Sequence, residues 1–306
     1  MLSVILPSFN EEGNIERAAE AIGKVLSAES IDYELIYVND GSKDRTQEIL
    51  ESLVNKDKHV RYIMFSRNFG KEAAISAGLA NAKGDCTAVM DCDLQHPPET
   101  LTEMYKLWKE GFEVIEGVKA DRGKESLLHK MSAGFFYGIM SDAMKMDMMH
   151  ASDFKLLDRK AVDALLRFPE YHSFFRALSA WVGFKTTTVS FKVKEREAGS
   201  SKWSTRALIK YAVDNIMEFS SLPMHIITAT GFITFILGML LGIQTLVRYF
   251  LGNAAEGFTT VIILILIMGS ILMISLGIIG LYLSKIYDEV KRRPKYIISK
   301  YGGYDG

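Results

Sequence analysis

The chain has few cysteines, and its charges nearly cancel. Cys86 and Cys92 are the only cysteines among 306 residues, and the formal net charge is −1. Both cysteines lie in one predicted strand region and suggest neither a disulfide framework nor a zinc site, so a reducing compartment is expected. A net charge this close to zero provides no overall positive field for nucleic acid. These shortages argue against a disulfide-stapled module and against a nucleic-acid-binding protein.

Common phosphate-binding motifs and targeting segments are also missing. Neither G-x-G-x-x-G nor G-x-x-x-x-G-K-[ST] occurs in the sequence, so a dinucleotide site or a Walker-type site is not expected. The N-terminus enters an apolar run at once, without a basic region or a cleavage site, so no secretory signal is expected. The length predicts about two domains. Nearly all of the excess hydropathy lies beyond Met224.

Short apolar runs alternate with helical patterns over the first 123 residues. The runs predict strands at residues 2–7, 33–38, 60–65, 86–90 and 113–118, and helices are predicted at 15–28, from Asp44 to about Val54, and at 72–82 and 99–109. Strict alternation of strands and helices is typical of a parallel sheet with helices on both faces.

The residues around Asp91 indicate a metal site. An apolar run ending at Met90 is followed by Asp91, Asp93 and Gln95. Alternate side chains of an extended segment point the same way, so these three converge if the strand continues past the sheet edge. Two carboxylates and one amide oxygen suit Mg²⁺ or Mn²⁺, with water and phosphate as the other ligands. A solvated strand end is the alternative, although ligands of open α/β sheets bind at the carboxyl ends of strands.

Polar residues follow the other predicted strands as well. The strand ends provide Asn10 and Glu11, then Asp40, then Arg67 and Lys71. Such a mixture of acceptors and cations in one crevice suits a nucleotide diphosphate. Taken singly, Asp40 could be an ordinary turn residue before a glycine, and Arg67 and Lys71 could be surface charges.

Four segments together resemble the family 2 glycosyltransferases of the GT-A fold. They are PSFNEE at 7–12, NDGS at 39–42, SRNFGKE at 66–72 and DCDLQHPPE at 91–99. The chain is more closely similar to the polyprenyl-phosphate glycosyltransferases, which include the bactoprenol glucosyltransferases and the dolichol-phosphate mannose synthases. The resemblance covers essentially the whole chain. It implies a GT-A (Rossmann-like), mostly parallel sheet with helices on both faces, followed by a C-terminal two-helix transmembrane hairpin.

The resemblance also implies roles for individual residues. The nucleotide sugar is expected to contact Pro7, Asn10, Glu11, Asp40, Lys71 and Asp91. Asp91, Asp93 and Gln95 are expected to hold Mg²⁺ or Mn²⁺ on the diphosphate, and Asp93 is therefore counted with the catalytic residues.

Asp153 resembles the acidic residue on the acceptor side of the sugar. The expected acceptor is a phosphate monoester, whose second pKa is about 6, so it needs little help in losing a proton. We therefore expect Asp153 to orient the acceptor, with base catalysis not required; a helix cap for Phe154 onward is the alternative. Arg196, Ser201 and Lys202 fit the family pattern R-x-x-G-x-S-K-[YW] and are expected to bind the lipid phosphate, unless the loop is only a linker.

Two long apolar stretches, at about 224–249 and 258–283, are each long enough to cross a bilayer. Residues 1–203 are expected to form a cytosolic catalytic domain, 204–222 an amphipathic interfacial helix, and 223–306 the membrane hairpin with a cytosolic tail. Basic residues flank the outer ends of both stretches, so both termini are expected in the cytosol. The spacing of Gly231, Gly238 and Gly242 suggests a homo-oligomer through these helices.

The expected function is inverting, metal-dependent transfer of a sugar from a UDP-sugar to undecaprenyl phosphate. The reaction would take place at the cytoplasmic face of the bacterial inner membrane and serve the glycosylation of cell-surface polymers. Glucose is the expected sugar, and N-acetylglucosamine, galactose and aminoarabinose are the alternatives. A processive polysaccharide synthase is disfavoured because Q-x-x-R-W is absent. A non-catalytic membrane scaffold that binds nucleotide sugar is the alternative of a different class.

Overall fold

The computed structural model describes residues 1–120, 138, 141, 152–168, 170, 174–192, 220, 222–251 and 257–304. The chain divides into two compact units. The first comprises Met1–Leu208 with Arg293–Gly306, and the second comprises Ile209–Arg292.

The first unit is built on one sheet, which has eight strands within the described residues. They are β1 (Leu2–Ser8), β2 (Tyr33–Asn39), β3 (Val60–Phe65), β4 (Cys86–Val89), β5 (Val114–Lys119), β6 (Lys155–Asp158), β7 (Thr186–Phe191) and β8 (Ile298–Gly302). Their order across the sheet is β7-β5-β6-β4-β1-β2-β3-β8. Every residue of β2 is buried, as expected for a central strand that is covered on both faces.

Helices cover this sheet. Those of the described part are α1 (Ile15–Ala28), α2 (Thr46–Lys56), α3 (Lys71–Asn81), α4 (Glu99–Lys109), α5 (Arg159–Leu166) and α6 (Phe175–Trp181). The sequence of α1 shows why the helices pack there. Ile15, Ala18, Ile22 and Leu26 recur every three or four residues, so they form one stripe, and all four are buried in the core.

The strand pairing explains where polar residues gather. Parallel pairs join β1 to β2, β2 to β3 and β1 to β4, so these four strands end at the same edge of the sheet. The strands that lie next to β4 and β3, namely β6 and β8, are antiparallel to them. The alternating pattern therefore predicted the central strands correctly, and the two antiparallel strands were not predicted.

The strand β6 changes the interpretation of the segment around Asp153. Phe154 is followed by a strand, so Asp153 does not cap a helix there. The helix cap is Asp158, whose Oδ1 accepts a hydrogen bond from the Lys160 N–H at 2.9 Å. The alternative reading of Asp153 as a helix cap is therefore wrong.

The C-terminal tail returns to the sheet. Strand β8 runs antiparallel to β3, the Ser66 N–H donates to the Ile297 carbonyl at 2.9 Å, and the rings of Phe65 and Tyr296 stack with centroids 5.0 Å apart. The sequence-based division kept residues 223–306 together as hairpin and tail. The structure instead places the end of the tail in the same unit as the catalytic sheet.

The second unit contains two long apolar helices, α7 (Leu222–Phe250) and α8 (Phe258–Lys291). Within Leu222–Arg248 and Ile263–Lys291, 18-residue windows have mean hydropathies of 2.2 and 2.6, and no residue of these windows is buried by protein. Twenty-seven residues of helix span about 40 Å, and the hydrocarbon core of a bilayer is about 30 Å thick. By length and composition, the two helices are candidates for the predicted membrane hairpin.

Three predicted features lie largely outside the described residues. The first is the loop with Arg196, Ser201 and Lys202, the second is most of the interfacial helix at 204–222, and the third is the link between the apolar helices at 252–256.

Candidate active site

Asp91, Asp93 and Gln95 lie on a turn that follows β4. The strand ends at Val89, and the chain turns at residues 92–93. Leu94 has a positive φ of 57°, and the Gln95 N–H donates to Asp93 Oδ1 at 3.1 Å. The prediction that the three side chains alternate along an extended strand is therefore wrong in its geometry. The left-handed backbone conformation of Leu94 could not be predicted from the sequence, because few non-glycine residues adopt that conformation.

Aromatic and sulfur contacts hold this turn against the sheet. His96 is buried, and its ring stacks on Phe154 with centroids 4.6 Å apart. Burial lowers the pKa of His96, which favours the neutral ring. The thiol of Cys92 donates to the Pro7 carbonyl at 3.8 Å, so the turn also contacts the end of β1.

Lys71 joins two carboxylates. It is the first residue of α3, and its Nζ lies 2.7 Å from Asp91 Oδ1 and 2.9 Å from Asp153 Oδ2. Burial would lower the pKa of Lys71, but the charges of Asp91 and Asp153 outweigh it and hold the pKa well above its usual value. The ammonium group therefore stays charged and links the predicted metal side of the crevice to the predicted acceptor side.

Arg176 completes this cluster and was not found from the sequence. It lies in the first turn of α6 and binds Asp153 with two hydrogen bonds, from Nε to Oδ1 at 2.7 Å and from the second guanidinium nitrogen to Oδ2 at 2.9 Å. Asp153 itself is only 8% exposed. No fixed spacing relates an arginine to an aspartate 23 positions earlier, so only the tertiary fold brings them together.

The predicted nucleotide-contacting loops are braced against each other. The Asn10 N–H donates to Ser42 Oγ at 2.9 Å, and Asn10 Oδ1 accepts from the Lys43 N–H at 2.8 Å. Glu11 follows, and its N–H donates to Thr46 Oγ1 at 2.9 Å. The loops after β1 and β2 thus form one surface at the carboxyl edge of the sheet.

Asp40 holds the loop after β3. Its two carboxylate oxygens accept hydrogen bonds from the Phe69 and Gly70 N–H groups at 2.6 and 2.9 Å. Burial raises the pKa of Asp40, and the two hydrogen bonds partly oppose this. Because Gly70 directly precedes Lys71, Asp40 also fixes the start of α3. The alternative reading of Asp40 as a simple turn residue is therefore incomplete.

The donor set of Asp91, Asp93 and Gln95 after β4 fits a divalent ion in its chemistry. It offers two carboxylates and one amide, which Mg²⁺ and Mn²⁺ accept when water and phosphate supply the rest. In the described part of the chain, no cluster of three or more His, Cys, Asp or Glu residues forms a complete site. Lys71 Nζ lies 2.7 Å from Asp91 Oδ1, so this carboxylate already binds one cationic group in the folded protein.

Glu72 gives the site a pH-dependent contribution to stability. Burial, and then the nearby charge of Asp153, raise the pKa of Glu72 from 4.5 to about 7. The folded state therefore holds this proton more tightly than the unfolded chain does, and its stabilising effect is complete below about pH 4.5 and is lost as the pH rises through about 7.

We expect wild-type protein to lose thermal stability relative to Glu72→Gln as the pH is raised from about 5 to about 8. The glutamine keeps a similar shape and carries no titrating proton. Unfolding temperatures of both proteins across this range provide the measurement. Glu110→Gln, at the exposed end of α4, is the control and should follow the wild type. A constant difference between wild type and Glu72→Gln would contradict the prediction.

Comparisons with known proteins identify related sequences. The sequence profile of the family "Glycosyl transferase family 2" matches residues 3–166. An uncharacterized glycosyltransferase of Bacillus subtilis, YkcC, is 38% identical over 99% of this chain and 94% of its own length. The SfII prophage-derived bactoprenol glucosyl transferase of Shigella flexneri is 34% identical over 98% of this chain and 97% of its own length.

The fold also matches a solved structure. Glucosyl-3-phosphoglycerate synthase from Mycobacterium tuberculosis, solved with Mn²⁺, UDP and phosphoglyceric acid, superposes with a TM-score of 0.54. The match covers 71% of this chain and 76% of the synthase at 18% sequence identity. At this identity the likeness concerns the fold alone, and it confirms the predicted GT-A architecture.

Proposed function

Because this chain belongs to glycosyl transferase family 2 and is a glycosyltransferase, we propose that it transfers a sugar from a UDP-sugar to undecaprenyl phosphate. The transfer would be inverting and metal-dependent, and the first sugar to test is glucose. It would occur at the cytoplasmic face of the bacterial inner membrane. Relatives named as bactoprenol glucosyl transferases, which match this chain over nearly their full length, support the lipid acceptor and the sugar.

The observation that carries this proposal is the position of Lys71. Its ammonium group contacts Asp91, on the predicted donor side, and Asp153, on the predicted acceptor side, within 3 Å of each. A sugar bound between these two carboxylates would have its leaving group on one side and its acceptor on the other. A single direct displacement across that gap inverts the anomeric carbon.

Each group of residues has a separate task in this proposal. Asp91, Asp93 and Gln95 would hold Mg²⁺ or Mn²⁺, which when bound supplies positive charge to the leaving UDP. The braced loops with Pro7, Asn10, Glu11 and Asp40 would bind the nucleotide sugar. Lys71 keeps Asp91 and Asp153 at a fixed separation.

The acceptor side requires a lipid-bound phosphate near a membrane. Asp153 would orient the acceptor. Arg196, Ser201 and Lys202, which are not among the described residues, would bind its phosphate. The two apolar helices would anchor the protein beside the lipid substrate. We also retain a homo-oligomer through these helices as a proposal, based on the small residues at near-helical spacing.

A panel of radiolabelled nucleotide sugars tests the proposed reaction. Purified protein is incubated with undecaprenyl phosphate and UDP-glucose, UDP-galactose, UDP-N-acetylglucosamine or UDP-aminoarabinose, and the lipid is then extracted. We expect label in the lipid fraction with one donor above the others, and with UDP-glucose first. A non-catalytic scaffold would bind a donor without releasing UDP when the lipid is added, and that result would reject the proposal.

The membrane topology provides an independent prediction. In a Cys86→Ser, Cys92→Ser background, a cysteine at position 253, between the two apolar helices, should react with an impermeant thiol reagent added outside intact cells. A cysteine at position 299, an exposed residue of β8 near Gly303, should react only after the cells are opened, because basic residues would keep both outer ends inside. Labelling of both positions from the same side would contradict two full spans.

A further inference from the structure

The carboxylate of Asp153 is enclosed by two cations. Lys71 Nζ lies 2.9 Å from Oδ2, and Arg176 donates to both oxygens at 2.7 and 2.9 Å. Burial alone would raise the pKa of Asp153, but the charges of Lys71 and Arg176 outweigh it and hold the pKa well below its usual range. A carboxylate in this state is a weak proton acceptor, so it is poorly suited to general-base catalysis.

The acceptor of the proposed reaction needs cations more than it needs a base. A phosphate monoester has a second pKa of about 6 and is mostly a dianion at neutral pH. Its attacking oxygen already carries charge, whereas bringing two negative charges into a partly buried site requires positive partners. Arginine suits this task because its planar donors bind two phosphate oxygens at once.

The structure fixes the backbone from which Arg176 extends. The Arg176 carbonyl accepts hydrogen bonds from Lys155 Nζ at 3.3 Å and from Ser179 Oγ at 3.2 Å. Lys155 is 1% exposed and forms an ion pair with Glu116 at 2.8 Å. A buried and paired lysine thus holds the first turn of α6, which orders the guanidinium group before any ligand arrives.

We propose that Lys71 and Arg176 bind the phosphate group of the acceptor, and that Asp153 is the counter-ion that holds both cations in place in the free protein. This inference rests on the proposed function and assigns its acceptor side. In it, Lys71 contacts the acceptor phosphate and not the nucleotide sugar, to which the sequence resemblance had assigned this residue. In the reaction, a phosphate oxygen forms the bond to the anomeric carbon while the bond from that carbon to the UDP oxygen breaks. The electron pair of the broken bond leaves with UDP, and a dianionic acceptor transfers no proton to Asp153.

Exchange of Arg176 for lysine tests the phosphate contact. The variant keeps one positive charge but loses the paired hydrogen bonds, so we expect the KM for undecaprenyl phosphate to rise about 10- to 100-fold. The KM for the UDP-sugar should change by less than about 3-fold. The matched control is Arg167→Lys, an exposed arginine after α5, which should behave as wild type. An unchanged acceptor KM in Arg176→Lys would overturn the inference.

Exchange of Asp153 for asparagine separates a counter-ion from a base. A counter-ion role predicts that kcat falls by less than about 10-fold and that the rate still rises with the acceptor's ionisation near pH 6, whereas loss of a base costs about 10²- to 10⁴-fold. If that variant does not fold, calorimetric binding of farnesyl phosphate to wild type and to Arg176→Lys replaces it. We expect binding to weaken by at least about 10-fold in Arg176→Lys, and equal binding would overturn the inference.

Failure of the proposed function can be distinguished from failure of the phosphate-site assignment. If wild-type protein forms no glycosylated lipid with any UDP-sugar, the proposed function fails and this inference fails with it. If wild-type protein forms the lipid while Arg176→Lys keeps its acceptor KM, the function stands and only the assignment of the phosphate site is wrong.

Discussion

Replacing Asp93 with asparagine should lower the turnover of sugar transfer by about two to three orders of magnitude and leave the fold intact. The side chain loses its charge, so the divalent ion on the leaving diphosphate would be held less tightly. The turn should survive because Asp93 Oδ1 accepts the Gln95 N–H, and the asparagine oxygen can accept the same hydrogen bond.

Initial rates with Mn²⁺, together with calorimetric binding of Mn²⁺ in the presence of UDP, test this prediction. Asp163→Asn is the control, because Asp163 is 54% exposed and forms an ion pair on the surface of α5. It should bind Mn²⁺ and turn over as the wild type does. Full activity of Asp93→Asn, or of the wild type in excess chelator, would show that the site works without a metal ion.

Removing Glu116 should destabilise the catalytic unit by about 3–5 kcal/mol, because the ammonium group of Lys155 would stay buried without its counter-charge. Burial already lowers the pKa of Lys155, although the charge of Glu116 opposes this. The double variant Glu116→Leu, Lys155→Met removes both charges and should lose less stability than Glu116→Leu alone.

Urea denaturation in mild detergent measures these differences. The matched control is the exposed ion pair of Glu51 and Lys300, whose charged atoms are 2.6 Å apart. Their side chains are 41% and 55% exposed. Breaking this exposed pair should cost much less stability than breaking the buried pair, because water screens exposed charges. A similar loss of unfolding free energy in Glu116→Leu and in Lys300→Met would contradict the prediction. It would show that burial does not increase the contribution of the Lys155 ion pair to stability.

The central half of the sheet could be predicted because its sequence repeats a simple pattern. Strands β1 to β4 and the helices between them have clear apolar periods, and their parallel order follows from alternation. Strand β6 has only four residues, and β8 lies beyond the apolar helices, so no local pattern indicates that either one joins the sheet.

The site was predictable where its residues follow strands and not where they come from elsewhere. Asp91 and Lys71 follow β4 and β3, so the topology alone places them at one edge, and the structure joins them at 2.7 Å. Arg176 reaches the same cluster from a short helix that no strand end marks. The turn at Leu94 depends on a positive φ that the sequence does not encode in any simple residue preference.

The proposed reaction passes a sugar to a lipid phosphate with UDP as the leaving group, and its products can be measured directly. Phosphorus NMR of one sample containing protein, UDP-glucose and undecaprenyl phosphate follows all phosphate species together. We expect the monoester signal of the lipid to be replaced by a phosphodiester signal, with one UDP appearing for each phosphodiester formed. Appearance of UMP with a lipid diphosphate, or of UDP without any change in the lipid signal, would contradict it.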